Sequence, residues 1–236
     1  MALDGITTSA IVSELKAALL GGRIDKIHQP LADEIRMSIR GLGSGAKKII
    51  ISANSAHPRI HLTESSRENP MTAPLFCMVM RKHIAGGKII DIVQPNFERI
   101  IILRIESANE MGDITTKNLI LEIMGKHSNI IFLSDENKII DSIKHISSQI
   151  SSVREVLPGR SYFIPETQEK LNPLNYKSSE FIAAVSSKPM PLAKSIYCSM
   201  TGISPLIAEE ICHRASLDSG RSANSFSETE LTHLEH

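Results

Sequence analysis

Glu98 and Arg99 are adjacent in the chain and follow Gln94-Pro95, where a turn is expected. A carboxylate beside a guanidinium can engage a nucleotide: the arginine takes a phosphate or a base edge, and the acid accepts from an amine or hydroxyl. A surface ion pair is the simpler use of the same two residues. Lys126, His127, Ser128 and Asn129 crowd four polar side chains into one turn between expected strands. Such a turn suits phosphate contact, or is an ordinary hairpin. Asp4-Gly5 reads as a turn near the start. His57, His61, His83, His127 and His145 raise the question of a metal. His57 and His61 are four apart, but Pro58 lies between them and rules out the helix that would aim both at one ion. Cys77, Cys198 and Cys212 have no C-x-x-C spacing and suit reduced thiols. The expectation is no metal and no cofactor. No Ser/His/Asp or Cys/His pattern for nucleophilic catalysis stands out, so an enzyme is not expected.

The elements that position these residues come as two copies. Residues 21–40 read GGRIDKIHQPLADEIRMSIR and residues 86–105 read GGKIIDIVQPNFERIIILRI. The shared frame is Gly-Gly-basic-Ile-x-x-Ile-x-Gln-Pro, then an acid (Asp33, Glu98), then Ile35 or Ile100, at an offset of 65 residues. A helical pattern precedes each copy. Ile11, Leu15 and Leu19 have helical spacing after Ser9, a candidate N-cap; Phe76, Met80 and Ile84 repeat it after Pro74. Gly21 and Gly86 suit a helix C-cap that needs positive φ. A second match, residues 49–63 against 119–134, aligns His57 with His127 and Ile60 with Ile130, at an offset of 70. A longer loop at residues 106–117 accounts for the change. Each copy is then one helix and about four strands, spanning residues 9–65 and 73–136. The two should share a core, since neither buries its apolar face alone.

Residues 138–146 read as one more strand, and residues 154–174, rich in proline, as an extended linker. Beyond it come three helical segments. Ser204-Pro205 starts the last of them, and Thr201-Gly202 ends the one before. Helix, glycine-containing turn, helix is the shape of a helix-hairpin-helix, whose amides can hold a phosphate. Residues 219–236 read as a polar, frayed tail, and the closing Leu-Glu-His as the remnant of a tag. The expected fold class is α+β. A duplicated domain over residues 1–172 is followed by a small all-α domain over 173–218. Apolar residues make up 42% of the 236, enough for a core, but there is no Trp and aromatics are 4%, so Ile and Leu must do the packing. Lys+Arg and Asp+Glu are 26 each, so nucleic-acid binding would need a local patch. No stretch of 18 apolar residues suggests a membrane span, and the start lacks a signal-peptide pattern, so a cytoplasmic protein is expected.

Several segments together resemble the N-terminal region of the NFACT family, also known as fibronectin-binding protein A-like. They are LDG (3–5), GGRIDKIHQP (21–30), PLFCMVMRKHIAGG (74–87), the Glu98-Arg99 turn, EIMGKHSNII (122–131), IIDSIKH (139–145), REVLPGRSY (154–162) and GISPLIAEEICHRA (202–215). The resemblance implies an N-terminal domain like that of formamidopyrimidine-DNA glycosylases, followed by a helix-hairpin-helix domain. It implies a ribosome-associated quality control factor that binds the large (50S) ribosomal subunit carrying peptidyl-tRNA. Such a factor recruits charged tRNA, alanyl-tRNA in bacteria, for untemplated C-terminal tailing. The family's tRNA-contacting residues, an Asp near the N-terminus and an Asp-Arg pair, map onto Asp4 and onto Glu98 and Arg99; Glu98 stands where the family pattern has Asp. Glycosylase chemistry is not expected, because the start is Met-Ala-Leu-Asp where those enzymes have Pro-Glu. The alternative expectation is a cell-surface adhesin that binds fibronectin.

Overall fold

Asp4, not Ser9, starts the first helix. In the computed structural model, which describes residues 3–41, 43, 45–165 and 170–235, α1 runs Gly5–Leu19. The Asp4 carboxylate accepts from the Thr7 amide at 2.8 Å, as an N-cap does three residues ahead. Ser9 lies inside the helix. The strands β1 (Arg23–Leu31), β2 (Glu34–Arg40), β3 (Lys47–Ser52) and β4 (Arg59–Leu62) follow. The second copy repeats the pattern with α2 (Leu75–Ile84), β5 (Lys88–Val93), β6 (Ile100–Ala108), β7 (Ile114–Glu122), β8 (Asn129–Leu133) and β9 (Ile139–Ser142). Pro74 is the N-cap of α2 rather than its first helical residue.

The nine strands among the described residues form one antiparallel sheet in the order β4-β3-β2-β1-β5-β6-β7-β8-β9. The duplication is therefore visible as two mirrored runs joined at β1 and β5. Four backbone hydrogen bonds make that seam, and they come in related pairs. Gly21 N donates to Ile89 O and Gly86 N to Ile24 O, both at 2.8 Å; Ile24 N donates to Gly87 O and Ile89 N to Gly22 O, both at 2.9 Å. Each Gly-Gly thus stops its own helix and starts the strand that meets the other copy. Gly21 and Gly86 have φ of 83° and 75°, the left-handed region where a Cβ is strained. Gly87 is needed for a different reason: a Cβ there would lie 2.8 Å from Ile105 Cγ2 and 3.0 Å from Glu106 O.

One face of the sheet packs on both helices. Leu15 and Leu19 of α1, and Cys77, Met80 and Ile84 of α2, join Ile24, Ile35, Met37, Ile39, Ile89, Ile101, Leu103 and Ile105 in one buried cluster. Burying each such side chain stabilises by roughly 1.5–3 kcal/mol. The second match holds in the register: Ile51 pairs with Ile60, and Leu121 with Ile130, each 70 residues on. The expected longer loop over residues 106–117 is mostly strand. β6 and β7 pair from Ile100↔Glu122 out to Ala108↔Ile114, whereas β2 and β3 pair only from Glu34↔Ser52 to Ile39↔Lys47.

The expected linker also differs. Residues 146–164 lie over the other face of β6–β8, where Ile146, Val156, Tyr162 and Ile164 cover Ile100, Ile120, Ile131, Leu133 and Ile139. Arg154 and the Tyr162 hydroxyl both donate to the buried Glu122 carboxylate, and the guanidinium lies 5.2 Å from the Tyr162 ring centre. The expected strand over 138–146 is shorter, ending at Ser142.

The chain divides into two compact units: one mainly from Thr8–Pro95 and Arg99–Pro165, the other from Asp4–Thr7, Asn96–Glu98 and the chain after Pro165. The second unit holds α3 (Ser178–Ser186), α4 (Leu192–Ser199), α5 (Pro205–Arg214) and α6 (Glu228–Thr232). Ser204 caps α5, its Oγ accepting from Ile207 N at 3.3 Å, with Pro205 in the first turn. Residues 219–235 are not a frayed tail. Ala223, Phe226 and Leu231 are buried with Phe181, Val185, Leu192 and Ile196, and Arg221 stacks 3.9 Å from the centre of the Phe226 ring. A capping box of Ser227 and Glu230 starts α6. Of the three residues read as a tag remnant, Leu234 packs against this core and His236 lies outside the described residues.

Candidate functional site

The turn after the second Gln-Pro carries one residue more than the first copy does. Ala53 N donates to Asp33 O at 2.8 Å, and Ile123 N donates to Arg99 O at 2.9 Å. Residues 53 and 123 are related by the offset of 70, so Arg99 is the counterpart of Asp33, at an offset of 66. The buried faces agree: Ile35, Met37 and Ile39 correspond to Ile101, Leu103 and Ile105. The expected match of Ile35 with Ile100 is therefore one residue short. Ile100 corresponds to Glu34, and the added residue lies between Pro95 and Arg99. It is accommodated in a 3₁₀ turn, Pro95–Phe97, in which Asn96 and Phe97 have φ of 48° and 60°. Two consecutive non-glycine residues at positive φ are costly, of order 1–3 kcal/mol each, and persist only where packing holds them.

Phe97 supplies that packing. Its ring and carbonyl lie so close to Gly5 and Gly202 that no side chain fits at either. A Cβ on Gly202 would sit 2.3 Å from Phe97 O, and one on Gly5 would sit 2.7 Å from it. Gly5 N donates to Gly202 O at 2.7 Å. Asp4 completes the cluster: one carboxylate oxygen caps α1, and the other accepts from Ser204 Oγ at 2.9 Å. Burial pushes the Asp4 carboxyl up, but the hydrogen bonds from Thr7 and Ser204 outweigh it and hold it below the usual carboxylate range. Asp4 is only 9% exposed, so its carboxylate is spent on joining two helix starts. The glycine turn between α4 and α5 packs on Gly5 and Phe97.

Arg99 is different. Its side chain is half-buried and has neither an ion-pair nor a hydrogen-bond partner among the described residues. It is not the surface ion pair that its neighbour Glu98 suggests. Its backbone is fixed by the bond to Ile123, so the guanidinium leaves from a rigid strand end. Lys126 and His127 are exposed in a 3₁₀ turn, Gly125–His127. Ser128 and Asn129 are buried and occupied. Ser128 Oγ accepts from Met124 N at 2.9 Å, and Asn129 bonds both the Lys144 carbonyl, at 2.8 Å, and the Lys144 amide, at 3.1 Å. Lys144 donates its ammonium to Ser128 O and Ala53 O, tying the second copy to the first, and burial lowers its pKa. Sequence reasoning missed Phe97 and Lys144. A lone aromatic after Gln-Pro in an aromatic-poor chain was a usable signal for the first; nothing marked the second. The described residues hold no cluster of His, Cys, Asp and Glu able to bind a metal, and no helix long and apolar enough to cross a membrane.

The chain matches the family described as NFACT N-terminal and middle domains over residues 4–236. It is 44% identical over 219 residues to the Rqc2 homolog RqcH of Bacillus subtilis, covering 92% of this chain and 38% of that protein. It therefore spans well under half of that relative's length. Among solved structures, the N-terminal part of the fibronectin/fibrinogen-binding protein from Streptococcus suis superposes with a TM-score of 0.81 at 33% identity, covering 97% of this chain and 82% of that one. The fibrinogen binding protein from Staphylococcus aureus gives a TM-score of 0.83 at 33% identity, covering 100% and 80%. The doubled helix-and-sheet domain, the helical domain after it and these matches agree: the chain belongs to the NFACT family.

Proposed function

We propose that this chain is the tRNA- and large-subunit-binding part of a ribosome-associated quality control factor. In this reading the full-length protein recruits charged tRNA, alanyl-tRNA in a bacterium, for untemplated tailing of a stalled chain. The peptide bond is then made by the ribosome, and no group of this chain is catalytic. The observation that carries the reading is Arg99: a guanidinium without a partner among the described residues, at a turn that the first copy lacks. A guanidinium so placed is able to take a phosphate with two parallel hydrogen bonds. Glu98 lies beside it for an amine or hydroxyl, and Lys126 and His127 offer a second point of phosphate contact. Asp4 acts as a positioning residue, because it holds the cluster that fixes Phe97. The test is co-purification of the tagged full-length protein with sequencing of the bound RNA. Enrichment of tRNA and large-subunit rRNA is expected; their absence from the bound fraction sinks the reading.

The names of the Streptococcus suis and Staphylococcus aureus relatives favour a second reading, a fibronectin or fibrinogen binder. Cell fractionation separates the two. Native protein on the outer surface and not with ribosomal particles supports the second.

A further inference from the structure

Three cations stand in register on adjacent strands at the seam. Arg23 pairs directly with Arg40 of β2 on one side and with Lys88 of β5 on the other. All three are exposed and lie on the face of the sheet opposite Ile24, Ile39 and Ile89, which are buried with the helices. Like charges directly opposite across strands are destabilising, so this row needs a reason. Part of it is local. Arg23 donates to Gly86 O at 3.1 Å, just past the carbonyl end of α2, where a cation is favoured. Arg40 meets Asp25 at 2.9 Å. Lys88 stands opposite Glu106 of β6 but makes no ion pair among the described residues, and neither helix end explains why Arg40 completes the row.

The surroundings extend the charge. Lys26 pairs with Ser38, and Ser38 with Lys48, giving a second row with a lysine at each end. Both lysines are exposed and without an ion pair among the described residues. The corresponding face of the second copy went the other way. At the positions of Arg36 and His61 it has Ile102 and Ile131, and residues 146–164 cover it. One copy's face was closed with apolar groups; the seam and the first copy's face stayed cationic. In a chain whose formal net charge is zero, these five cations, with Asp25 and Glu106 as the acids beside them, give a net positive surface of the kind a polyanion requires.

We infer that the face of β2, β1 and β5 centred on Arg40, Arg23 and Lys88 is a second RNA contact, taking the phosphodiester backbone without base specificity. It rests on the RNA-binding reading above but uses residues remote in sequence from Arg99. Direct pairing sets the three cations one strand spacing apart, about 4.8 Å, and their flexible side chains adjust to successive phosphates.

The test uses the full-length protein, a fluorescent single-stranded RNA of mixed sequence as probe, and poly-L-glutamate as a competing polyanion. The variant R23Q/R40Q/K88Q is compared with wild type and with Arg99→Ala over a salt series. The expected result is weaker RNA binding and a log K against log salt slope shallower by about 2, since each phosphate contact on a single strand contributes about 0.7. The thermal midpoint is recorded alongside, because the variant loses the Arg40–Asp25 pair and the Arg23 bond to Gly86 O together with the like-charge repulsion; a midpoint close to that of wild type shows that the variant is folded. Unchanged affinity and slope overturn the inference. So does a variant that loses poly-L-glutamate but keeps RNA, which marks the face as a site for an acidic protein. If Arg99→Ala weakens tRNA binding while the triple variant changes nothing, only this inference fails; if neither matters, the RNA reading fails with it.

Discussion

At the scale of single residues, Asp4 and Gly202 hold the cluster around Phe97. Asp4→Ala removes the cap of α1 and the acceptor of Ser204, and should cost about 1–2 kcal/mol in urea unfolding. The pH dependence follows from the direction of the shift. The folded carboxyl of Asp4 titrates below its unfolded value near 4, so its contribution is fully present above that pH. It is lost as pH falls through the lower folded value. Wild type should therefore lose stability below pH ~4 more steeply than Asp4→Asn, and parallel curves would contradict the assignment. Gly202→Ala meets both a φ of 70° and the Phe97 carbonyl, so the backbone strain of about 1–2 kcal/mol is a lower bound. The sequence made Glu98 and Arg99 visible as chemistry, and the family resemblance added Asp4. It did not show the added residue before Arg99, because the identical Gln-Pro pairs fix the eye on one offset. The insertion is absorbed by Asn96 and Phe97, residue types that do not announce positive φ.

At the scale of elements, the Gly-Gly frame was legible in the repeat itself, but its second purpose, the seam between copies, appears only in the backbone bonding. Its two glycines should respond differently. Gly86→Ala meets open space and suffers φ strain alone, about 1–2 kcal/mol. Gly87→Ala must push Ile105 and the Glu106 carbonyl away, and should destabilise by more. An equal loss at both positions in thermal unfolding would contradict the seam geometry. The covering segment was read as linker from residue 154 on, because the prolines and glycine of residues 154–174 outweigh their sparse apolar residues. Four dispersed side chains and one buried carboxylate hold it. Arg154→Ala leaves Glu122 charged and buried beneath it, and should cost about 3–5 kcal/mol. A change below about 1 kcal/mol would mean the pair is not buried as described.

At the scale of the whole molecule, the mixture of helices with a large antiparallel sheet was within reach of hydrophobic periodicity and turn residues. The terminal helix was not: Gly-Arg-Ser-Ala-Asn-Ser is polar by composition, yet it carries Ala223 and Phe226 into the second core. The chain spans 38% of the Bacillus subtilis relative's length. The central claim nevertheless concerns one side chain within it. The measurement is the dissociation constant of the full-length protein for tRNA, wild type against Arg99→Ala, with the thermal midpoint recorded alongside. Losing one charge-assisted phosphate contact, about 1.5–3 kcal/mol, should weaken binding by roughly 10- to 100-fold while the midpoint stays within about a degree. Equal tRNA affinity for the two proteins would contradict the account.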